Sequence, residues 1–281
     1  MPLVLKSVEA NRGSRWIGDA WRVFMKRPLG FMGLFGVFLF AALLVSLVPL
    51  LGPVVQMMSL PLLGLGFMIA AQSALLDGQV HPRCFIEPLR TDATRRRSLL
   101  TLCAIYGVAA LVILAIGDGI SGGAWGRLQE AMAQGTAGQV DVDAILAEPG
   151  FGTGAMWVLL AGTVLTVPFW HAAALVHWGG QAVGQALFSS TLAVWRAKGA
   201  FAVYLLGWFG SVVLFALGSA LLLGLLGLPQ WAGLVGVPAG LVFSAVFYVS
   251  LLFTFNDSFG GSPVQALAAE TAPPPPPPDQ V

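Results

Sequence analysis

Six stretches of this chain, residues 29–50, 54–76, 99–117, 155–178, 201–226 and 231–255, contain no Asp, Glu, Lys or Arg. Wound as α-helix, an apolar run of about 20 residues matches the hydrocarbon thickness of a bilayer. No other feature constrains the fold as tightly. Charged residues make up 10% of the chain, against roughly 25% in soluble domains, so it cannot clothe a water-facing surface. A mean hydropathy of +0.83 says the same.

The expected fold is therefore an all-α integral membrane protein. About six transmembrane helices should form three hairpins, each preceded by a short cytoplasmic amphipathic helix. Residues 1–28 read as an N-terminal segment with an interfacial helix, 29–257 as the membrane domain, and 258–281 as a disordered proline-rich tail. The leader is polar and basic, and the run from Leu29 is too long for a signal-peptide core. It is expected to act as an uncleaved signal-anchor.

Orientation follows from the cations. Lys6, Arg12, Arg15, Arg22, Lys26 and Arg27 precede the first run. Arg83, Arg90, Arg95, Arg96 and Arg97 lie between the second and third, and Arg196 and Lys198 between the fourth and fifth. Of the 14 basic residues only Arg127 falls on the other side, in an acidic connector over 121–152. The positive-inside rule then places both termini in the cytoplasm and the connector outside.

Between the spans, short amphipathic patterns recur. In Ser14 to Arg27, Trp16, Ile17, Ala20, Trp21 and Phe24 share a helical face, with Arg15, Asp19, Arg22 and Lys26 largely off it. Such a helix lies in the headgroup layer. Val164 to Tyr204 contains the other clear case: a span ending in Trp178, a Gly-Gly turn, then Phe188, Leu192 and Trp195 on one face before Arg196. Trp16, Trp21, Phe24, Trp178, Phe188, Trp195 and Arg196 are the expected interfacial anchors. The connector carries two helical patterns, near Trp125 to Met132 and near Asp141 to Ala147, where Asp141 and Asp143 suit a helix start.

Two constant offsets suggest parallel repeats. Trp21-Arg22 and Gly33-x-Phe35-Gly36 precede Trp195-Arg196 and Gly207-x-Phe209-Gly210 by 174 residues, and Phe67, Ala70, Ala71, Gly78 and Gln79 precede matching residues by 102. Small-residue stripes at Gly30, Gly33 and Gly36, at Ala216, Ala220 and Gly224, and at Gly236, Gly240 and Ser244 suit close helix packing, the last two within the monomer or at a dimer face.

Residues that could carry chemistry are few. Asp77, Asp118 and Asp257 stand at span ends, where a carboxylate reaches water. His171, shortly after Pro168 in the fourth span, is the exception. As a functional site it would be a charge switch or ligand contact. The competing expectation is a packing kink whose imidazole bonds a carbonyl or serine of a neighbouring helix. Cys84 and Cys103 are expected to be free thiols. No catalytic, cofactor or metal motif occurs, and the cation clusters abut spans, which argues against nucleic acid. Expected partners are anionic lipid headgroups at the basic segments and a protein at the run Pro273 to Pro278, a polyproline II stretch.

WIGDAWRVFMKRPLGFMGLF, PLLGLGFMIAAQSALLDGQ and PFWHAAALVHWGGQAVGQALFSSTLAVWRAKGAFAVY together resemble the BPSS-type family of proteobacterial inner-membrane proteins. The resemblance covers most of the chain outside the connector and tail. More distantly, the layout is similar to the membrane domain of some glycerophosphodiester phosphodiesterases. It implies a six-helix integral membrane protein and supplies no substrate or catalytic residue. Where that pattern has Ala-Pro-Ala, this chain has Trp170-His171-Ala172, so no role for His171 comes from it. A non-enzymatic organiser of lipid or partner proteins is the expected function, with a transporter of small molecules or lipids as the alternative.

Overall fold

The structure is a computed structural model and describes residues 4–48, 51–90, 92–133 and 141–260. The expected polyproline run lies outside the described residues. Described residues form helices and turns, with no strand among them.

Helix α1 spans Arg12–Lys26, and Arg27 with Pro28 separates it from α2, Pro28–Ser46. Helix α3 is Leu51–Leu75, α4 is Ala93–Ile120, and α5, Ala124–Ala133, with α6, Val142–Leu146, occupies the connector. Then come α7, Phe151–Phe169, α8, Ala172–His177, α9, Val183–Arg196, α10, Lys198–Leu225, and α11, Ala232–Phe259. Among the described residues six segments are long and apolar enough to cross a membrane, α7 and α8 together making the fourth. The exposed leucines and phenylalanines along them, such as Leu206, Phe209, Leu214 and Leu221, form the lipid-facing coat.

Three details differ from expectation. Leu51-Gly52-Pro53 begins α3 instead of forming a turn, since Pro53 sits in the first turn, where no intrahelical N–H bond is lost. The segment before α4 is two single 3₁₀ turns, Pro82–Phe85 and Glu87–Arg90, not an amphipathic α-helix. Pro82 and Pro88 stand too close together for a continuous helix. Among the stripe glycines, Gly33, Gly36, Gly224, Gly236 and Gly240 face open space and do not pack helices within the chain. Close approach occurs elsewhere: at Gly154 a methyl would strike the Gly117 carbonyl, holding α4 against α7.

The largest correction concerns α1. Most of its apolar face is covered by protein, though Trp21 is exposed. Trp16 is 0% and Phe24 4% exposed, so neither is an interfacial anchor. The helix packs on both α10 and α11, with the Trp16 ring 5.3 Å from Phe201 and 5.8 Å from Tyr204. Gly13 permits the approach, because a Cβ there would meet the backbone of Ala200 and Tyr204. The indole Nε1 of Trp16 and the Nε of Arg12 both donate to Asp257 Oδ2, each at 2.7 Å. Just upstream, the Val4 and Lys6 amides donate to the Phe259 and Ser258 carbonyls, tying the N-terminal segment to the end of α11.

The two offsets fare differently. The 102-residue offset superposes Leu75, the end of α3, on His177, the end of α8. The 174-residue one pairs Trp21 with Trp195 but not the helix breaks, which fall at Arg27 and Ala197.

Candidate functional site

The fourth span is broken. Pro168 lacks an N–H, α7 stops at Phe169, and α8 starts at Ala172. In a bilayer the loose backbone groups need partners within the protein. Ser190, fully buried on α9, supplies two of them: its Oγ accepts from the His171 amide at 3.0 Å and donates to the Val167 carbonyl at 3.2 Å. Trp170, between the two helices, donates its indole N–H to Thr254 Oγ1 of α11 at 3.1 Å. Its ring stands edge-on to Phe201, Tyr204 and Phe247.

His171 itself is 0% exposed, and its ring meets Phe201, Phe255 and Phe259 edgewise at 5.5–6.2 Å. Neither ring nitrogen has a hydrogen-bond partner among the described residues. The expected bond to a serine exists, but the main chain makes it and the imidazole does not. The phenylalanine rings offer no counter-ion, so this arrangement gives a charge switch nothing to work against.

A cavity of about 150 Å³ lies beside the break. Leu60, Pro61, Gly64, Leu65 and Met68 of α3, Tyr106 of α4, Thr166 and Phe169 of α7, Trp170 at the break, Ala173 and Ala174 of α8, and Phe247, Tyr248 and Leu251 of α11 form its wall. Those of α3, α4 and α11 sit near the middle of their helices, hence near the bilayer midplane, and those of α7 and α8 flank the break. The wall is predominantly apolar, and His171 is not part of it.

At the basic end of the bundle, α9 turns Phe188 and Trp195 outward, 68% and 70% exposed, and buries its small residues Ala186, Ser190 and Ala193. Trp21 is exposed on α1 and Arg196 on α9, while Trp178 is half-buried against Phe255 at 5.3 Å. Lys198 Nζ lies 5.5 Å above the Trp195 ring, a cation–π distance. Arg95 reaches across to donate to the His177 carbonyl at 3.2 Å, closing the C-terminus of α8. The hydrogen bond to Asp257 raises the Arg12 pKa further above its ordinary value. Arg15, Arg83, Arg90, Arg96, Arg97 and Arg196 are exposed and make no ion pair among the described residues.

On the opposite end, Arg127 grips both oxygens of Glu148 at 2.7 Å, and Asp141 caps α6 by accepting from the Ala144 amide. Cys84 and Cys103 are both free and buried. No cluster of three or more His, Cys, Asp or Glu suited to a metal occurs among the described residues. Sequence reasoning missed Ser190, the bonds that Asp257 accepts from Arg12 and Trp16, and the shared cavity wall of Tyr106 and Tyr248. One signal was available: the chain's three tyrosines all fall inside spans.

Six apolar helices with an aromatic and cationic rim at one end define a polytopic helical membrane protein. Over 262 residues, 91% of this chain and 94% of the relative, the sequence is 34% identical to the probable inner membrane protein BTH_II0599 of Burkholderia thailandensis. The chain belongs to the family of that protein, and it is a multi-pass inner-membrane protein. No family model matches it, and no solved structure matches it.

Proposed function

We propose that the protein is a non-enzymatic membrane component that holds anionic phospholipid at its basic end. That end, with both termini, faces the cytoplasm by the positive-inside rule. One observation carries this reading. Exposed arginines without ion pairs among the described residues, Arg83, Arg90, Arg96, Arg97 and Arg196, share one end with the outward-turned Trp21, Phe188 and Trp195. Aromatic rings at the headgroup level fix depth, and each nearby cation attracts anionic lipid by about 1 kcal/mol. The proline-rich tail would then offer a protein partner an extended ligand on the same side.

The test is purification in native lipid particles, followed by mass spectrometry of the retained lipid. Anionic lipid should be enriched over the bulk membrane. The enrichment should fall in a variant with Arg83, Arg90, Arg96 and Arg97 changed to Gln. Arg95 is spared because it holds the end of α8. Retained lipid of bulk composition in both proteins would refute the reading.

A second reading, a carrier of small apolar molecules, draws on the broken fourth span beside a midplane cavity, the layout transporters use for binding sites. Uptake of a labelled apolar solute into reconstituted vesicles, lost on cavity filling, is what it requires.

A further inference from the structure

Of the three tyrosines in the spans, Tyr204 is satisfied: its hydroxyl lies 2.6 Å from Ser250 Oγ, and Ser250 in turn donates to the Phe247 carbonyl. Tyr106 and Tyr248 differ. Both line the midplane cavity, from α4 and α11, and neither phenol has a hydrogen-bond partner among the described residues. The other side-chain polar groups on that wall are committed, Thr166 to the Thr163 carbonyl and the Trp170 indole to Thr254. Two phenol donors at this depth have no bulk water to turn to, and hydrocarbon offers no acceptor.

The volume decides what could supply one. At about 150 Å³ the cavity has the size that takes a benzene-like ring. A phospholipid is far too large, and its ester carbonyls sit at the headgroup boundary, about 15 Å from the centre of a 30 Å hydrocarbon layer. The aromatic residues on the wall, Tyr106, Phe169, Trp170, Phe247 and Tyr248, suit a flat ring.

We propose that this cavity binds the carbonyl-bearing ring of a bilayer-soluble quinone, with Tyr106 and Tyr248 donating to its carbonyl oxygens and the hydrocarbon tail leaving between helices into lipid. Quinone rings are small and planar, carry acceptors, and dissolve at the depth where the phenols lie. The site is separate from the basic end, so it stands or falls independently of headgroup binding.

The full chain in phosphatidylcholine nanodiscs, titrated with 2-decyl-1,4-benzoquinone while tryptophan fluorescence is recorded, tests this. Saturable quenching is expected, with a photoreactive quinone analogue labelling peptides of α3, α4, α8 or α11. Tyr106→Phe and Tyr248→Phe should each weaken binding about threefold to tenfold, and the pair more than either. Decylbenzene, the same ring size without carbonyls, should compete at least about tenfold less well. Thr166→Phe, which fills the cavity from the half-exposed side of α7, should abolish labelling and serves if the double tyrosine variant fails to fold. Absence of saturable binding would overturn the proposal. So would equal competition by decylbenzene, or wild-type labelling in the double variant or in Thr166→Phe.

Discussion

Trp16 on α1 donates its indole N–H to the Asp257 carboxylate on α11 at 2.7 Å, across 241 residues of sequence. This bond joins the first helix among the described residues to the last. It turns what the sequence presents as a surface helix into a wedge between two spans. Arg12, one turn earlier, reaches the same oxygen, so one carboxylate serves two donors spaced i, i+4 on one helix face.

Asp257→Ala should therefore destabilise the protein by about 2–3 kcal/mol, because it strands a buried indole donor and a half-buried guanidinium. Asp257→Asn retains an acceptor and should cost less. Thermal unfolding in detergent gives the magnitude. Limited trypsin digestion should show cleavage at Arg12 or Arg15 rising in Asp257→Ala before global unfolding. Unchanged midpoints and cleavage rates in both variants would mean the wedge is not held this way.

The break in the fourth span makes opposite predictions for two neighbours. Ser190→Ala removes the partner of the His171 amide and the Val167 carbonyl together and should cost about 1–3 kcal/mol. His171→Phe removes a ring with no hydrogen bond from a nest of phenylalanines and should be neutral or stabilising. The same unfolding assay compares them. A large loss in His171→Phe beside a harmless Ser190→Ala would reverse their assigned roles.

Cys84 lies in the 3₁₀ turn Pro82–Phe85, outside the spans, and burial pushes its thiol above the usual pKa. A raised pKa lowers the thiolate fraction at pH 7–8, and thiolate is the reactive form. Maleimide labelling of Cys84 should thus be slower than that of a free cysteine in this range and should climb steeply only at higher pH. Mass spectrometry of the tryptic peptide reads this out. Labelling at the rate of free cysteine at pH 7 would show the turn to be open.

Much of this architecture was legible in the residues. The six spans, α1 and α9 follow from apolar length and helical spacing, and α5 and α6 appear close to where Trp125 and Asp141 suggested. What stayed hidden is what covers each face. In α9 the aromatic side, Phe188 and Trp195, is left exposed; in α1 Trp16 and Phe24 are sealed by protein. Periodicity marks an apolar face but is blind to whether lipid or another helix lies against it. Small-residue stripes are ambiguous for a related reason: Gly236 and Gly240 look like a packing seam, yet no described residue of the chain approaches them. The cavity has Tyr106 and Tyr248 lining one space from distant spans, and such a convergence leaves no local pattern in the chain.

Topology can be checked apart from stability. A reporter active only outside the cytoplasm, inserted within the 121–152 connector, should be active, and the same reporter fused at the C-terminus should be silent. The opposite pattern would invert the proposed orientation and place the basic end outside.

Headgroup binding at the basic end is the central claim, and lipid-dependent stability tests it most directly. The purified protein is placed in nanodiscs of phosphatidylcholine alone and of phosphatidylcholine with phosphatidylglycerol, and the unfolding midpoint is measured at low and high salt. The midpoint should rise with phosphatidylglycerol, fall back in high salt, and no longer respond to lipid charge once Arg83, Arg90, Arg96 and Arg97 are changed to Gln. A midpoint indifferent to phosphatidylglycerol in the wild-type protein, or a rise that persists in the four-arginine variant, would contradict the account.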